Sequence, residues 1–176
     1  MNERNPKTMT VLFDAAINVD VNIKDKYGLE ADYQFIWDTG STQTIMNYRE
    51  LLTTSHRKLT QGKYGVITAE TANNKKIVLT PYCITEFVLQ SDVGRNTIKL
   101  TNVLVYSTPD ENLSNLIGLN VILLFNNNIR ARFAKETGKI VKMLKITQKN
   151  EDEQQQLLDV MQISEQLPMR INTLRV

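Results

Sequence analysis

The chain is poor in the residues that build most metal centres and covalent catalytic sites. Its 176 residues include one cysteine, Cys83, and one histidine, His56. A single cysteine excludes an internal disulfide and suits a reducing compartment, so we expect a cytoplasmic protein. A single histidine excludes a zinc site of the H-E-x-x-H type. No G-x-S-x-G turn or phosphate-binding glycine loop is present either. We therefore expect neither a metal ion nor a cofactor.

Charge of one sign and long apolar runs are also scarce. A formal net charge of +2 gives no strong electrostatic reason to bind nucleic acid or an anionic membrane. The longest purely apolar stretch, VILLF at 121–125, is far shorter than the roughly 20 residues of a membrane helix. The first ten residues lack the apolar core of a secretion signal. We therefore expect no nucleic-acid partner and no membrane partner.

What the sequence does contain is the pattern of a β protein. Alternating or apolar runs are separated by turn signals, for example at 71–74 and 136–138. Many short strands with hairpin spacing favour a barrel or a sandwich. Two short helices are predicted, one starting near Asn47 and one following Gly118, with a loop at 126–128. The predicted strands cover 10–23, 30–37, 64–70, 75–80, 82–90, 97–106, 129–134 and 139–146.

The last part of the chain has a different pattern. Asn150 can cap a helix, three acidic residues follow it, and Pro168 ends the run. An apolar stripe runs along this segment at Leu157, Val160, Met161 and Leu167. A helix of this kind either packs on its own domain or binds a partner or a second copy. We predict a β domain over 1–148 and a helical tail over 149–176.

Asp38 stands at an unusual place in this pattern. It directly follows the apolar residues 35–37 and precedes Thr39, Gly40 and Ser41. Burying a carboxylate is costly unless the group is paired or hydrogen-bonded. One interpretation is an aspartate that begins a turn and bonds the backbone. The triplet Asp-Thr-Gly alone appears by chance in roughly one chain in thirty of this size, so its meaning depends on its surroundings.

A second motif lies about 80 residues downstream, where Leu116-Ile117-Gly118 follows a predicted strand and a polar loop. A hairpin pattern over 64–79 lies between the two motifs. This order resembles the retropepsin-like aspartic proteases, in which an apolar strand ends in Asp-Thr-Gly, a flap hairpin follows, and an apolar-apolar-Gly segment opens a helix. The resemblance covers about residues 10–146. It implies an all-β fold, a closed retropepsin-like barrel with a flap hairpin, one or two short helices and a C-terminal helical tail.

The same resemblance implies an aspartic endopeptidase that hydrolyses peptide or protein substrates. Two carboxylates share a proton in that family and activate a water molecule. This chain has only one Asp-Thr-Gly, at Asp38, so catalysis implies a symmetric homodimer. The alternative is a non-catalytic member of the fold that serves as a dimerising interaction module. The intact Asp-Thr-Gly-Ser favours the enzyme.

The resemblance also assigns roles to residues around Asp38. Thr39 ties the two loops of the dimer together, and Gly40 allows a tight turn close to the substrate. Ser41 can donate a hydrogen bond to the carboxylate, which would favour the charged form of Asp38 and lower the working pH. Leu119 departs from the retroviral pattern, which often has arginine there. Substrate contacts are implied for Thr42, Glu70, Thr71, Ala72, Asn73 and Ile117.

Overall fold

The computed structural model describes residues 7–25, 27–54, 56–59, 64–92 and 96–150, together with the backbone of 169–171. These residues form twelve strands and two one-turn helices. The strands are β1 (Thr8–Phe13), β2 (Asn18–Lys24), β3 (Glu30–Trp37), β4 (Thr44–Ile45), β5 (His56–Lys58), β6 (Ile67–Thr71), β7 (Lys76–Gln90), β8 (Thr97–Ser107), β9 (Leu116–Ile117), β10 (Phe125–Ala134), β11 (Lys139–Gln148) and β12 (Met169–Ile171). The helices are α1 (Tyr48–Leu51) and α2 (Leu119–Ile122).

Six of the strands close into a barrel in the order β7-β2-β3-β9-β4-β8, and β8 pairs back onto β7. The long strands β2, β3, β7 and β8 pair with antiparallel neighbours. The two-residue strand β9 instead runs parallel to β3 and antiparallel to β4, and β4 runs parallel to β8. The prediction of an all-β protein with a closed barrel and short helices is confirmed at this level. The position of β9 brings two distant segments of sequence together at the end of β3.

The barrel interior is filled by the apolar residues that alternate along its strands. In β2, Val19, Val21 and Ile23 are buried, as expected for a strand with one face on the core. Phe35 and Phe87 meet edge to face with ring centroids 5.2 Å apart. A second, smaller cluster lies under the β6–β7 hairpin and consists of Ile45, Ala69, Ile77, Leu79, Tyr106, Leu113 and Leu116.

A separate three-stranded antiparallel sheet has the order β1-β11-β10. The hairpin of β10 and β11 is paired from Phe125 opposite Gln148 to Ala134 opposite Lys139. Gly138, with φ of +67°, supplies the left-handed residue of its turn. Strand β1 pairs with β11 only as far as Phe13 opposite Lys142, so the end of the hairpin extends past it.

Three predicted elements differ from the structure. The predicted strand 10–23 is two strands in different sheets, β1 and β2, because the chain bends between them. The strands predicted on either side of Pro81 are one continuous strand, in which the Pro81 carbonyl accepts from Leu59 N at 3.0 Å. The loop predicted at 126–128 is wrong, because these asparagines pair with β11 as part of β10. The predicted tail helix lies outside the described residues, and residues 169–171 of the predicted tail form the strand β12, which pairs parallel with β6.

Candidate active site

Asp38 directly follows β3 and lies in a tight loop. Phe35 and Trp37 are buried, whereas Asp38 is only half-buried, and Thr39 and Gly40 are exposed. Gly40 N donates to Asp38 Oδ1 at 2.8 Å, so the carboxylate closes a turn of its own loop. The apolar residues before Asp38 therefore anchor the strand in the core and hold the carboxylate at the barrel surface.

Backbone hydrogen bonds join this loop to the second motif. Asp38 N donates to Ile117 O at 3.0 Å, and Leu119 N donates to Ser41 O at 2.8 Å. Asn120 N donates to Thr42 O at 3.2 Å. Both sides of the Asp38 loop are thus bonded to the segment that contains β9 and the start of α2. The two motifs that the sequence separates by about 80 residues form one structural unit.

Gly118 lies at the centre of that unit, where its backbone closely approaches the backbone of Gln43. A Cβ atom on Gly118 would lie 2.2 Å from the carbonyl oxygen of Gln43. The φ of Gly118 is −98°, which any residue can adopt, so the requirement is for space rather than for conformation. Glycine at this position lets the two segments pack against each other without a gap.

Two residues that sequence reasoning missed hold this contact from the side. Thr44 is buried, and its Oγ1 accepts from Gly118 N at 3.1 Å and donates to Asn120 Oδ1 at 2.8 Å. Asn120 Nδ2 then donates to Leu104 O at 3.1 Å. These bonds connect β4, α2 and β8. No periodicity or local motif marks Thr44 in the sequence, because its partners are distant along the chain, and Asn120 was noted only as part of the run around Gly118 and not as a site residue.

Asn115, just before β9, continues the pairing along the same edge of β3. Its carbonyl accepts from Ile36 N at 2.9 Å, and its Oδ1 accepts from Asn47 N at 2.7 Å. Its Nδ2 donates to Gln34 O at 3.2 Å and to the carboxylate of Glu50. The buried amide of Asn115 is therefore fully used, and it ties α1 to the strand that carries Asp38.

The residues after Gly40 are placed differently from the expectation. Ser41 is fully buried, and its hydroxyl donates to Gln43 O at 2.7 Å. A hydroxyl has one proton to donate, so the predicted bond from Ser41 to the Asp38 carboxylate is wrong. Ile117, which the resemblance assigns to substrate contact, has its side chain fully buried in the core and contributes its carbonyl to Asp38 N. Thr42 is half-buried beside them.

The remaining predicted substrate contacts lie on the β6–β7 hairpin. Ala72 and Asn73 are exposed at its turn, and Glu70 is half-buried. Thr71 is fully buried; its N–H donates to Lys75 O at 2.8 Å, and its Oγ1 accepts from Lys75 N at 3.2 Å. Ala72 and Asn73 are therefore accessible to a ligand, whereas the buried Thr71 stabilises the turn through its hydrogen bonds to Lys75.

The hairpin is held against the body of the protein. Its inward residues Ala69, Ile77 and Leu79 are buried in the smaller core cluster. At the turn, the ammonium of Lys75 pairs with the carboxylate of Glu111, in the loop between β8 and β9. The hairpin thus consists of a packed base and a polar tip that one ion pair attaches to a neighbouring loop.

Within the described residues, no three His, Cys, Asp or Glu side chains lie close enough to hold a metal ion. None of the helices in that part of the chain has the length and apolarity needed to cross a membrane. No protein-family model, curated protein or solved structure matches this chain. The function of the chain must therefore be inferred from the geometry around Asp38.

Proposed function

We propose that this protein is a retropepsin-like aspartic endopeptidase in which two copies each supply Asp38. The observation that carries the proposal is the pair of hydrogen bonds from Asp38 N to Ile117 O and from Leu119 N to Ser41 O. The resemblance connects the two motifs only by their order along the chain. Their interlocking at the end of β3 supports a site rather than a chance Asp-Thr-Gly.

The proposed reaction is hydrolysis of a peptide bond by an activated water molecule. When two carboxylates lie a few ångströms apart they share a proton, because both cannot be charged at low cost. The charged carboxylate takes a proton from water as the oxygen attacks the peptide carbonyl, and the protonated one polarises that carbonyl. In each copy, Gly40 N–H holds Asp38 Oδ1 and so fixes the orientation of the carboxylate.

The requirement for two copies follows from the content of one chain. A lone Asp38 carboxylate cannot be base and acid in the same step, and the chain has one Asp-Thr-Gly. The exposure of Thr39 and Gly40 supports the approach of a second loop. Within the described residues the Thr39 hydroxyl makes no hydrogen bond, which leaves it available to the second loop.

The proposed substrate is an extended peptide held between the Asp38 loop and the β6–β7 hairpin, which serves as a flap. The exposed tip residues Ala72 and Asn73 offer backbone groups that can pair with a peptide. Ile36, half-buried on the strand leading to Asp38, favours apolar side chains beside the cleaved bond. The base of the hairpin stays packed, so its movement is confined to the tip.

A peptide library provides the test. We expect the wild-type protein to cleave a subset of peptides and Asp38→Asn to cleave none, since the amide cannot share the proton. Asp20→Asn is the matched control, because Asp20 is exposed on β2 and the change removes the same charge. Cleavage that survives Asp38→Asn would contradict the proposal. Peptide binding by a wild-type dimer without any cleavage would favour the interaction module instead.

A further inference from the structure

The outer edge of the β6–β7 hairpin is occupied by a strand from the end of the same chain. Strand β6 pairs antiparallel with β7 on one side and parallel with β12 on the other. Among the described residues, β12 is the end strand of this sheet. Residues 149–168 join it to β11 in the sequence. Its pairing with β6 is therefore intramolecular and does not depend on protein concentration.

Strand β12 runs in the same direction as β6, toward the turn of the hairpin. Its three residues pair in order with the last three of β6: Met169 with Ala69, Arg170 with Glu70, and Ile171 with Thr71. The exposed turn residues Ala72 and Asn73 directly follow Thr71. The strand thus ends beside the residues that the proposed function assigns to contact with the substrate.

One apolar cluster connects this part of β6 to the candidate active site. Ala69, which pairs with Met169, is buried in the smaller core cluster together with Leu116. Leu116 directly precedes Ile117, whose carbonyl accepts from Asp38 N at 3.0 Å. The stretch of β6 that accepts β12 is therefore packed on the segment that holds the Asp38 loop.

We infer that β12 is an intramolecular competitor of the substrate, because it occupies the edge of β6 with which an extended peptide would pair. Peptides of this kind gain main-chain hydrogen bonds by adding a strand to a free sheet edge. While β12 is paired, this edge is not free. The inference rests on the proposed function, which places a peptide between the hairpin and the Asp38 loop, and it adds a means of regulating that site.

The pairing is short enough for a peptide to displace it. Three paired residues supply only a few ladder hydrogen bonds, and each has a modest net contribution because water replaces it when the strand leaves. The hairpin itself is held more firmly, since its inward residues Ala69, Ile77 and Leu79 are buried in the smaller core cluster. Strand β12 can therefore leave while the hairpin stays folded.

Charge at the middle of β12 suits its position. Arg170 holds the position opposite Glu70, which has Lys76 opposite it on β7. Opposite charges at paired positions stabilise a strand pair, and like charges destabilise it. Reversing the charge at residue 170 therefore weakens the docking of β12 without changing the pairing of β6 with β7.

Proline pairs in the full chain provide the test. Successive N–H groups of a strand point to opposite sides, so R170P/I171P removes one that is directed at β6. The matched control is R175P/V176P, which also replaces an arginine and a β-branched residue but lies after β12. For a peptide that the wild type cleaves, we expect R170P/I171P to lower KM by about three- to tenfold and to keep kcat within about twofold, since only the competent fraction of the protein changes. The control should match the wild type.

A binding measurement makes the test independent of cleavage. The probe is a fluorescent peptide with the sequence of residues 166–174, which contains β12, and a scrambled peptide is its control. In an Asp38→Asn background, R170P/I171P should bind the probe about three- to tenfold more tightly than the unchanged tail does. Amide exchange at 68–71 should also be faster in that variant when no peptide is present.

A second variant keeps the backbone of the tail intact. R170E sets two carboxylates at paired positions, with Glu70, and should change KM, probe affinity and amide exchange in the same directions as the proline pair. R175E is the charge-matched control and should leave all three unchanged.

Equal KM and equal probe affinity in the wild type, R170P/I171P and R170E would overturn the inference. This holds even where exchange at 68–71 is faster, because β12 would then only cover an edge strand. If cleavage that depends on Asp38 accompanies that result, the competitor is overturned and the enzyme stands. Tighter probe binding by both variants without cleavage of any peptide supports the docking of β12 and overturns the proposed enzyme.

Discussion

Gly118 is the single residue at which the site has the least room. A methyl group there would lie 2.2 Å from Gln43 O, and the three nearest atoms all belong to the backbone of Gln43. We expect Gly118→Ala to lower the free energy of unfolding by about 1–3 kcal/mol, the usual cost of overpacking. Urea denaturation measures this change. Gly65→Ala, which meets nothing within 4 Å, should change it by less than about 1 kcal/mol. Equal effects would show that space at Gly118 is not limiting.

At Ser41, a contribution to stability can be distinguished by experiment from an effect on the pH dependence of activity. Its hydroxyl donates to Gln43 O, so Ser41→Ala leaves a buried acceptor unsatisfied and should cost about 1–3 kcal/mol of stability. A hydroxyl that bonded the Asp38 carboxylate would favour its charged form, and loss of that hydroxyl would move the acid limb of the pH–rate profile upward. We expect that limb to stay in place.

The control for Ser41→Ala is Ser107→Ala, which removes a buried hydroxyl donating to Met46 O at 2.6 Å, on β8. Both variants should lose similar stability and keep the same pH profile. If the acid limb moved to higher pH in Ser41→Ala but not in Ser107→Ala, Ser41 would have a direct role at the Asp38 carboxylate.

Among the elements, the β6–β7 hairpin is the one whose motion can be measured directly. The ion pair between Lys75 and Glu111 is exposed on the lysine side, and such pairs contribute about 0–1 kcal/mol. We expect Glu111→Gln to speed amide exchange at 72–74 by up to about fivefold, with no change at the buried Ala69. Glu136→Gln, in the turn after β10, is the charge-matched control. Faster exchange along the whole hairpin would mean that its base also opens.

The elements also show which parts of the fold the sequence alone predicts and which it does not. The bounds of β3 were predictable, because its apolar end and its preceding turn are local signals. The residues 126–128 were not, because three asparagines favour a turn and only pairing with β11 makes them a strand. The order of Asp38 and Gly118 suggested a site. The bonds of Thr44 and Asn120 that hold it could not be predicted, since long-range hydrogen bonds leave no period in the sequence.

At the scale of the whole molecule, we predict that activity requires two copies of the chain. Activity should fall on dilution below the dimer dissociation constant. In a tethered dimer, Asp38→Asn in one half keeps nearly the same shape but removes the shared proton. We expect turnover to fall by several orders of magnitude in that variant, measured against a tethered dimer with Asp20→Asn in one half. Near-wild-type turnover would exclude a mechanism that uses both carboxylates.

The parallel pairing of β3 with β9 has a consequence for synthesis of the chain. The Asp38 loop receives its backbone bonds from residues 117–120, so it cannot be assembled until the ribosome has added about 80 further residues. At about 5–20 residues per second this delay is on the order of ten seconds. Until then a nascent chain carries Asp38 without the backbone bonds that join its loop to the second motif. The candidate site therefore stays unassembled at least until Asn120 has been synthesised.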